Sequence, residues 1–254
     1  MFKLNKIKPE WPAPSNITAF TSCRAGGLSQ LPFDSFNIAQ HVGDDQEVVN
    51  QNRSLLPNSE KFIWLNQTHS NICLNFDSNN FDSEVPQGDA CFTSHRKQVC
   101  AVMTADCLPI LLCDIQGNCV AAVHAGWRGL ANGIIENTVA KMPVNTKNLI
   151  AWLGPAISQK YFEIGNEVKE TFSEFPEAFQ ANRQSNADKY FADLYLIAKQ
   201  KLNTLGVSEV FGGDYCTYQQ QDLFFSHRRS THQATKKGNS TAKTGRMVSA
   251  IYIN

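Results

Sequence analysis

Two short apolar runs around a turn stand out in the middle of the chain. Residues 108–113 and 119–123 are almost wholly apolar, and the turn residues 116–118 (QGN) lie between them. Short apolar runs bounded by turn residues are typical of strands that are buried on both faces. The pattern therefore predicts an antiparallel hairpin whose open end holds Cys107 and His124 side by side.

Other apolar or alternating runs predict further strands along the chain. In the last of them, Val248, Ala250 and Tyr252 are expected on one face, because side chains alternate along a strand. The predicted strands outside the hairpin are 16–24, 62–65, a short one after 88–90, one from 99 to 103, 149–153, 209–213, 223–226 and 246–253.

Helical spacing and capping residues predict four helices between these strands. The first follows Asp44 or Asp45 as N-cap and ends before Pro57, and the others cover 130–142, 163–175 and 188–205. The polar stretches are predicted as connections: a surface loop over 75–90, a link over 180–188 and a mobile loop over 230–243. The alternation of elements predicts one α/β domain over residues 1–254, with mixed β-sheets and flanking helices.

Size and charge narrow the kind of partner. A chain of 254 residues can bury a sizeable core without disulfides or structural metals. Its 23 basic and 23 acidic residues give zero net charge, so we expect a small-molecule partner rather than nucleic acid or a membrane surface. The chain has no apolar stretch of signal-peptide or membrane-spanning length. We therefore expect a cytoplasmic protein. We also expect it to be a monomer.

The cysteines are expected to be reduced, and most of them buried as small hydrophobic residues. Cys107 differs from the other seven because the predicted hairpin places it beside His124. A thiol next to an imidazole can act as a nucleophile or share a metal ion with it. His69 follows the predicted strand 62–65 and could be a third ligand. A His-Cys-His set with an open fourth position would be a catalytic metal site.

Several motifs together resemble the YfiH family. Its members were formerly described as multicopper polyphenol oxidases or laccases, and later as zinc-dependent purine nucleoside phosphorylases with adenosine deaminase activity; FAMIN is a mammalian relative. The resemblance implies a layered α-β-β-α fold. The motifs are NQTHS (66–70), GDACFT (88–93), TADCLPILL (104–112), VHAGWRGL (123–130), GPAIS with YFEIG (154–165), FFSHRR (224–229) and TGRM (244–247).

The resemblance implies that His69, Cys107 and His124 bind Zn²⁺ and form the catalytic centre, with copper as the alternative metal. Asp106, beside Cys107, could act as a general acid or base or orient a ligand histidine. An aspartate at a strand end also often caps a backbone N–H, so a structural role stays open.

For substrates, the resemblance implies phosphorolysis of adenosine and inosine to the free base and ribose 1-phosphate. Guanosine and S-methyl-5′-thioadenosine are further candidates. The resemblance also places Arg53 near the substrate. Either Arg53 or Arg128 could position phosphate. The start of the helix after Gly129 is a further candidate phosphate-binding site. Asn37 and Gln67 complete the substrate-binding candidates.

One stretch departs from the family pattern. Family members commonly carry Tyr in place of His227 and a shorter connection to the TGR motif, which puts any role of the predicted loop 230–243 in question. His95 and His232 are expected on the surface.

Three other functions stay open. A metal-free hydrolase or deamidase would use Cys107 as nucleophile and His124 as base, and the family fold resembles that of the cytotoxic necrotizing factor toxins. Copper oxidation of phenols would need more histidine clusters than six histidines provide. A non-enzymatic scaffold would leave the Cys and His residues without a purpose. Phosphate-loop and dinucleotide fingerprints are absent from the sequence, so no ATP or NAD site is implied.

Overall fold

The computed structural model of the protein describes residues 4–78, 81, 85–184, 188–207, 209–238 and 241–254, which form a single α/β domain. The strands of this part of the chain are β1 (Lys6–Ile7), β2 (Ile17–Ser22), β3 (Cys73–Asn75), β4 (Ala90–Thr93), β5 (Cys100–Thr104), β6 (Leu108–Asp114), β7 (Val120–Ala125), β8 (Leu149–Leu153), β9 (Glu163–Gly165), β10 (Phe179–Ala181), β11 (Lys189–Ala192), β12 (Glu209–Gly212) and β13 (Met247–Ile253). Its α-helices are α1 (Gln46–Ser54), α2 (Trp127–Ala131), α3 (Ile134–Lys141), α4 (Asn166–Glu170), α5 (Leu194–Thr204) and α6 (His227–Lys236).

The strands form two large sheets and one small one. The larger sheet has the order β12-β8-β6-β7-β4-β3, the second β1-β2-β13-β5, and the small one β10-β11-β9. The predicted central hairpin is confirmed: β6 and β7 pair antiparallel from Leu108↔Ala125 to Cys113↔Val120. Cys107 and His124 therefore lie at the open end of this hairpin.

Alternating side chains of β6 divide the core into two layers. Leu108, Ile110 and Leu112 pack in the cluster that contains residues of helices α2, α3 and α5. Leu111 and Cys113 pack in the cluster between the two large sheets. Because every residue of β6 is buried, the strand is apolar on both faces, as its sequence predicts.

The second large sheet has the same two-sided character. Val248, Ala250 and Tyr252 of β13 share the outer face, as predicted, and pack near Leu56, which follows α1. Ile251 of the same strand faces the layer between the sheets. Helices α2, α3 and α5 therefore cover one outer face of two stacked sheets, and the segment that directly follows α1 packs on the other; the predicted single domain with mixed sheets and flanking helices is confirmed.

Several element predictions are confirmed and others are wrong at their boundaries. Asp45 caps α1, because its carboxylate accepts the amide protons of Glu47 and Val48. The predicted helices 163–175 and 188–205 each begin with a strand instead, β9 and β11, which pair with each other. Short apolar runs have ambiguous periodicity, so this pairing depends on tertiary contacts.

Three smaller differences concern strand and helix ends. The predicted strand 62–65 makes only an isolated bridge, Phe62↔Val99, and 223–226 forms no strand. The predicted helix 130–142 is interrupted at Gly133, which has a left-handed φ of 83°. Parts of the predicted surface loop 75–90 and of the link 180–188 lie outside the described residues.

The predicted mobile loop 230–243 is wrong for residues 230–236, which belong to α6. The Ser226 side chain caps this helix by accepting the amide proton of Arg229 at 3.1 Å. The Arg229 guanidinium also donates to the backbone oxygens of Thr217, Tyr218 and Phe224. These tertiary hydrogen bonds stabilise a helix that its polar sequence does not predict. Residues 239–240 of the predicted loop lie outside the described part of the chain.

None of the helices in the described ranges has the length and apolar character needed to cross a lipid bilayer.

Candidate metal and active site

The structure brings His69, Cys107 and His124 together at the open end of the hairpin. One donor atom of each residue lies within 4.8 Å of the other two, and Sγ of Cys107 is 3.8 Å from Nε2 of His69. Ideal tetrahedral zinc bonds would separate a ligand nitrogen from a ligand sulfur by about 3.6 Å. The Cys107–His69 separation is close to this value, and the three donors together could hold a single metal ion.

Local backbone geometry lets the three ligands approach so closely. His69 has a left-handed φ of 60°, an uncommon conformation for a residue with a Cβ atom. Gly126 follows β7, and a Cβ atom added there would lie 2.9 Å from Sγ of Cys107 and 3.0 Å from Cδ2 of His69. A side chain at position 126 would thus collide with two of the three ligands.

A buried carboxylate, Asp89, orients both histidines. It accepts hydrogen bonds from the backbone amides of Thr68 (3.2 Å), His69 (3.0 Å) and Ser70 (2.6 Å), and from the Ser70 hydroxyl at 2.7 Å. Nδ1 of His124 donates to it at 2.7 Å, so the other ring nitrogen of His124 is left for a metal ion. Carboxylate–histidine–metal arrangements of this kind are common in metal sites.

Hydrogen bonding also keeps Asp89 ionised. Burial alone would raise the pKa of its carboxyl, but the hydrogen bonds from His124 and Ser70 outweigh burial and lower the pKa to about 2. The sequence pattern does not single out Asp89, which stands in the GDACFT motif and falls at the end of the predicted surface loop 75–90. Its place after a polar stretch and directly before a buried strand was the available signal.

The Cys107–His124 pair is poised for charge separation. Burial opposes ionisation of the thiol, but His124 and His69 outweigh it and lower the pKa of Cys107 to about 6. Burial likewise opposes protonation of His124, yet Cys107 and Asp89 raise its pKa to about 9. The contrast with Cys113 is large, because burial raises the pKa of that thiol to about 12. The other seven cysteines are buried, as predicted.

A cavity of about 370 Å³ opens beside the three ligands. Its size is within the range of small-molecule binding sites. Part of its wall is apolar and part is basic. The apolar residues are Met103, Ala105, Trp127, Ile157, Phe162 and Leu194, and the polar ones besides the ligands are His41, Gln67, Thr104, Asp106, Arg128, His227, Arg228 and Arg246.

Asp106 lies in the cavity wall, but its carboxylate is occupied by protein donors. Oδ1 accepts a hydrogen bond from the Thr217 hydroxyl at 2.6 Å, and Oδ2 accepts one from the Arg228 amide at 2.6 Å. Its backbone has a positive φ of 91°. These bonds tie the first turn of α6 to the residue beside Cys107 and favour the structural alternative for Asp106.

Gln67 and Arg128 both line the cavity, but only Gln67 is fixed by hydrogen bonds to the backbone. The Gln67 side chain exchanges two hydrogen bonds with the backbone of Met103, at 2.9 and 2.7 Å. The exposed Arg128 guanidinium lies 4.3 Å from the centre of the Trp127 ring. Arg128 is therefore available to a ligand, whereas Gln67 is held by β5.

Arg53 and Asn37 do not line this cavity. Arg53 lies 3.9 Å from the centre of the Trp64 ring, and its Nε donates to the Ile38 oxygen at 2.8 Å. It lines a neighbouring cavity that shares His41 and Met103 with the first. Asn37 is fully buried, and its amide bonds to protein groups, among them the Arg246 amide at 3.0 Å.

Three residues of the basic wall were absent from the sequence-based candidates. They are His41, Arg228 and Arg246; a fourth, His227, is named in the sequence only as a departure from the family pattern. Arg228 and Arg246 stand within the quoted FFSHRR and TGRM motifs, which was the signal available. His41 follows a short run of apolar residues and gave no comparable sign.

The remaining histidines have other partners. His95 is on the surface, with Nδ1 3.6 Å from Asp77, and Nδ1 of His232 is 3.0 Å from the Tyr218 hydroxyl. Within the described residues, His69, Cys107 and His124 are the one group of three donors close enough for a metal ion.

The fold and the site together define a small-molecule site with metal-binding capacity in a layered α/β domain. A family model described as multi-copper polyphenol oxidoreductase laccase matches residues 18–254. The chain belongs to this family, the YfiH family, as its motifs predicted.

Curated relatives carry a different description from the family model. The chain is 42% identical to Purine nucleoside phosphorylase YfiH of Escherichia coli (strain K12), over 97% of this chain and 98% of the relative. It is 43% identical to a purine nucleoside phosphorylase of Haemophilus influenzae, over 98% of this chain and 100% of the relative. The crystal structure of Neisseria meningitidis protein NMB0706 matches with a TM-score of 0.89 and 40% identity, over 98% of this chain and 99% of that chain.

Proposed function

We propose that this protein is a zinc-dependent purine nucleoside phosphorylase that converts adenosine or inosine and phosphate into the free base and ribose 1-phosphate. We propose adenosine deamination as a second activity of the same site. The observation that carries the proposal is the His69–Cys107–His124 set in the wall of a cavity that also holds three arginines. The names of relatives at 42–43% identity support it.

The walls of the cavity suit the two reactants. Trp127 and Phe162 are aromatic residues of the wall that a purine can contact. Phosphorolysis builds positive charge on the sugar while the leaving base gathers negative charge, so a proton or an electrophile must reach the base. A zinc ion bound by the three ligands would supply Lewis-acid chemistry or an activated water. Asp89 would keep both ligand histidines in place during either reaction.

The donor set favours one zinc ion over several copper ions. One thiolate and two imidazoles suit zinc, and they also suit a single copper ion, so copper stays the alternative metal. A multicopper oxidase needs several histidine-rich clusters. His95 and His232 are engaged elsewhere, which leaves too few histidines for such clusters. Polyphenol oxidation is therefore the weaker proposal, despite the description of the family model.

One observation favours a second candidate, a metal-free hydrolase or deamidase. Cys107, His124 and Asp89 stand in the order of a nucleophile, a base and a carboxylate that orients the base. The lowered pKa of Cys107 would provide a thiolate near neutral pH. This candidate requires activity in the presence of a chelator.

The test combines metal analysis with chromatography of the products. Protein purified without added metal should contain about one zinc per chain. Adenosine and inosine are then incubated with and without phosphate. Free base that appears only with phosphate means phosphorolysis, and inosine from adenosine means deamination. Full activity in chelator would contradict zinc dependence and support the thiol mechanism.

A pair of cysteine variants sharpens the test. Cys107→Ser should lose bound zinc and reduce turnover by more than about 100-fold, since even partners outside the ligand set commonly cost 10–100-fold. Cys216→Ser is the control, because Cys216 is buried outside the cavity. Equal zinc content in the two variants would refute the ligand assignment.

The expectations of a cytoplasmic location and a monomeric state stay predictions.

A further inference from the structure

The arginines of the cavity wall lack acidic partners. Asp106 is the one carboxylate among the residues that line the cavity, and both its oxygens already accept protein hydrogen bonds. Arg128, Arg228 and Arg246 take part in none of the ion pairs found within the described residues. Those pairs are Arg24–Asp34, His95–Asp77, His124–Asp89 and Lys201–Glu136.

This local charge stands out because the whole chain has zero net charge. Positive charge that is partly removed from water and has no carboxylate partner is costly. A cavity with such a wall favours an anionic ligand, and the guanidinium fork matches the geometry of phosphate oxygens.

Arg246 and Arg228 are half-buried, whereas Arg128 is exposed. Nη1 of Arg246 donates to the backbone oxygens of Thr244 and Gly245, at 3.0 and 3.1 Å, which fixes the guanidinium from one side. Burial lowers the pKa of Arg246, while the negative charges of Cys107 and Asp106 raise it. The Arg246 guanidinium therefore lies close enough to Cys107 and Asp106 to interact electrostatically with both.

The neighbours of Arg246 offer further hydrogen-bonding groups. The Met247↔Thr104 pair of β13 and β5 places Arg246 beside the segment that leads to Cys107. Thr104 lines the cavity, and its buried hydroxyl has no hydrogen-bond partner within the described part of the chain. A buried hydroxyl without a protein partner indicates a missing ligand or water.

Two histidines share this positive environment. Burial lowers the pKa of both His41 and His227, and the charge of Arg246 lowers both further, while Asp106 acts in the opposite direction on His227. Neutral imidazoles can each donate one hydrogen bond to an oxyanion. Neither side chain forms a hydrogen bond elsewhere in the described ranges, so both are available.

We propose that Arg246, together with His41, His227 and the Thr104 hydroxyl, forms the binding site for the phosphate co-substrate. This assignment rests on the proposed phosphorylase function. It differs from the sequence-based candidates, which were Arg53, Arg128 and the start of the helix after Gly129. Arg53 lines the neighbouring cavity, and α2 has only five residues and begins at Trp127. Arg128 lines the cavity but is exposed.

The test measures phosphate binding without turnover. Inorganic phosphate is titrated calorimetrically into the zinc-loaded protein, and the KM for phosphate and for inosine is measured in parallel. Arg246→Gln should weaken phosphate binding by about 10- to 100-fold, the range expected for a lost charge-assisted hydrogen bond. The KM for inosine should change much less.

Two further variants guard against misfolding and against a general charge effect. His41→Ala removes an exposed side chain and should weaken phosphate binding by about three- to tenfold. Arg96→Gln removes the same charge from an exposed position outside the cavity and should leave phosphate affinity unchanged. If Arg246→Gln does not fold, His41→Ala and His227→Ala decide the outcome.

The outcomes separate this site from the enzyme assignment. Unchanged phosphate affinity in Arg246→Gln and His41→Ala, or a loss found only in Arg128→Gln, would overturn the site. A wild-type protein that binds no phosphate would overturn it as well. A wild-type protein that binds phosphate through Arg246 but forms no ribose 1-phosphate would leave the site standing and contradict the phosphorylase function.

Discussion

The two functional walls of the cavity differ in how their charged groups are compensated. The ligand wall is formed by His69, Cys107 and His124, and the basic wall by Arg128, Arg228, Arg246, His41 and His227. On the ligand wall, the supporting carboxylate of Asp89 is fully satisfied by five hydrogen bonds from the protein. On the basic wall, Arg246 and Arg128 form no ion pair with any carboxylate of the described residues, and the charge of Arg246 is offset only at longer range by Asp106 and Cys107. The protein alone completes the first wall, whereas we infer that a bound anion completes the second. Changes to the first should affect stability and metal binding together, and changes to the second mainly ligand affinity.

Among changes to residues that support the two walls without binding a ligand themselves, the largest effect is expected from Asp89→Asn. The amide would place a donor group among the N–H groups of residues 68–70. Metal affinity should fall by about 10- to 100-fold, and the free energy of unfolding by about 1–3 kcal/mol. Asp77→Asn is a matched control, since Asp77 accepts bonds from Thr93 and Ser94 without touching the ligands. Equal metal affinity in both variants would break the comparison.

The same residue predicts an acid dependence in protein kept metal-free by a chelator. The folded pKa of Asp89 is about 2, below the 3.8 of an unperturbed aspartate. A carboxylate with a depressed folded pKa stabilises the fold above its unfolded pKa and loses that contribution as pH falls through the folded value. Denaturant titrations should therefore show about 2 kcal/mol lost between about pH 5 and pH 2. Asp89→Asn should lack this loss.

A smaller effect on the same wall is expected from Gly126→Ala. The backbone at position 126, with φ −68° and ψ 166°, accepts alanine, so only the contacts of the added methyl group with Cys107 and His69 matter. Zinc affinity should fall by about tenfold, as measured by competition with a chromophoric chelator. Gly165→Ala changes a glycine at the N-cap of α4 with a similar backbone, φ −84° and ψ 172°, and the nearest atoms to its new methyl group belong to the flexible end of the Glu167 side chain. That control should retain wild-type zinc affinity.

The smallest effect is expected from Ser226→Ala beside the basic wall. Loss of this helix cap should reduce the free energy of unfolding by about 1 kcal/mol. The KM for phosphate should rise two- to threefold by an order-of-magnitude estimate, since His227 and Arg228 follow the cap directly. Asn145→Ala removes the side-chain cap of the short 3-10 helix Thr146–Asn148, none of whose residues lines the cavity. A similar loss of stability with an unchanged KM in that control would sharpen the comparison, and an equal rise in KM would contradict it.

The difference between the walls also explains what the sequence could predict. Cys107 and His124 flank two apolar runs that are close in the chain, so a local hairpin brings them together. The layered fold follows from similar local patterns, because β6 and β13 are clearly apolar along their lengths.

The residues that escaped prediction depend on distant contacts. His41, Arg228 and Arg246 come from segments up to 205 positions apart in the sequence. No local pattern predicts that they meet in one cavity. Helix α6 is polar throughout and has no buried residue, so it lacks the apolar stripe that predicts a helix. Asp89 acts through hydrogen bonds to a loop that lies about 20 residues earlier in the chain.

The cavity draws its wall from both large sheets, since Met103 and Thr104 belong to β5 and His124 belongs to β7. Any molecule held there would join the two layers of the sandwich, and its binding free energy would add to the thermal resistance of the whole domain. At a concentration 100 times its dissociation constant, a ligand contributes about 2.7 kcal/mol. The melting temperature can therefore rank a panel of nucleosides by affinity, without any assay of catalysis.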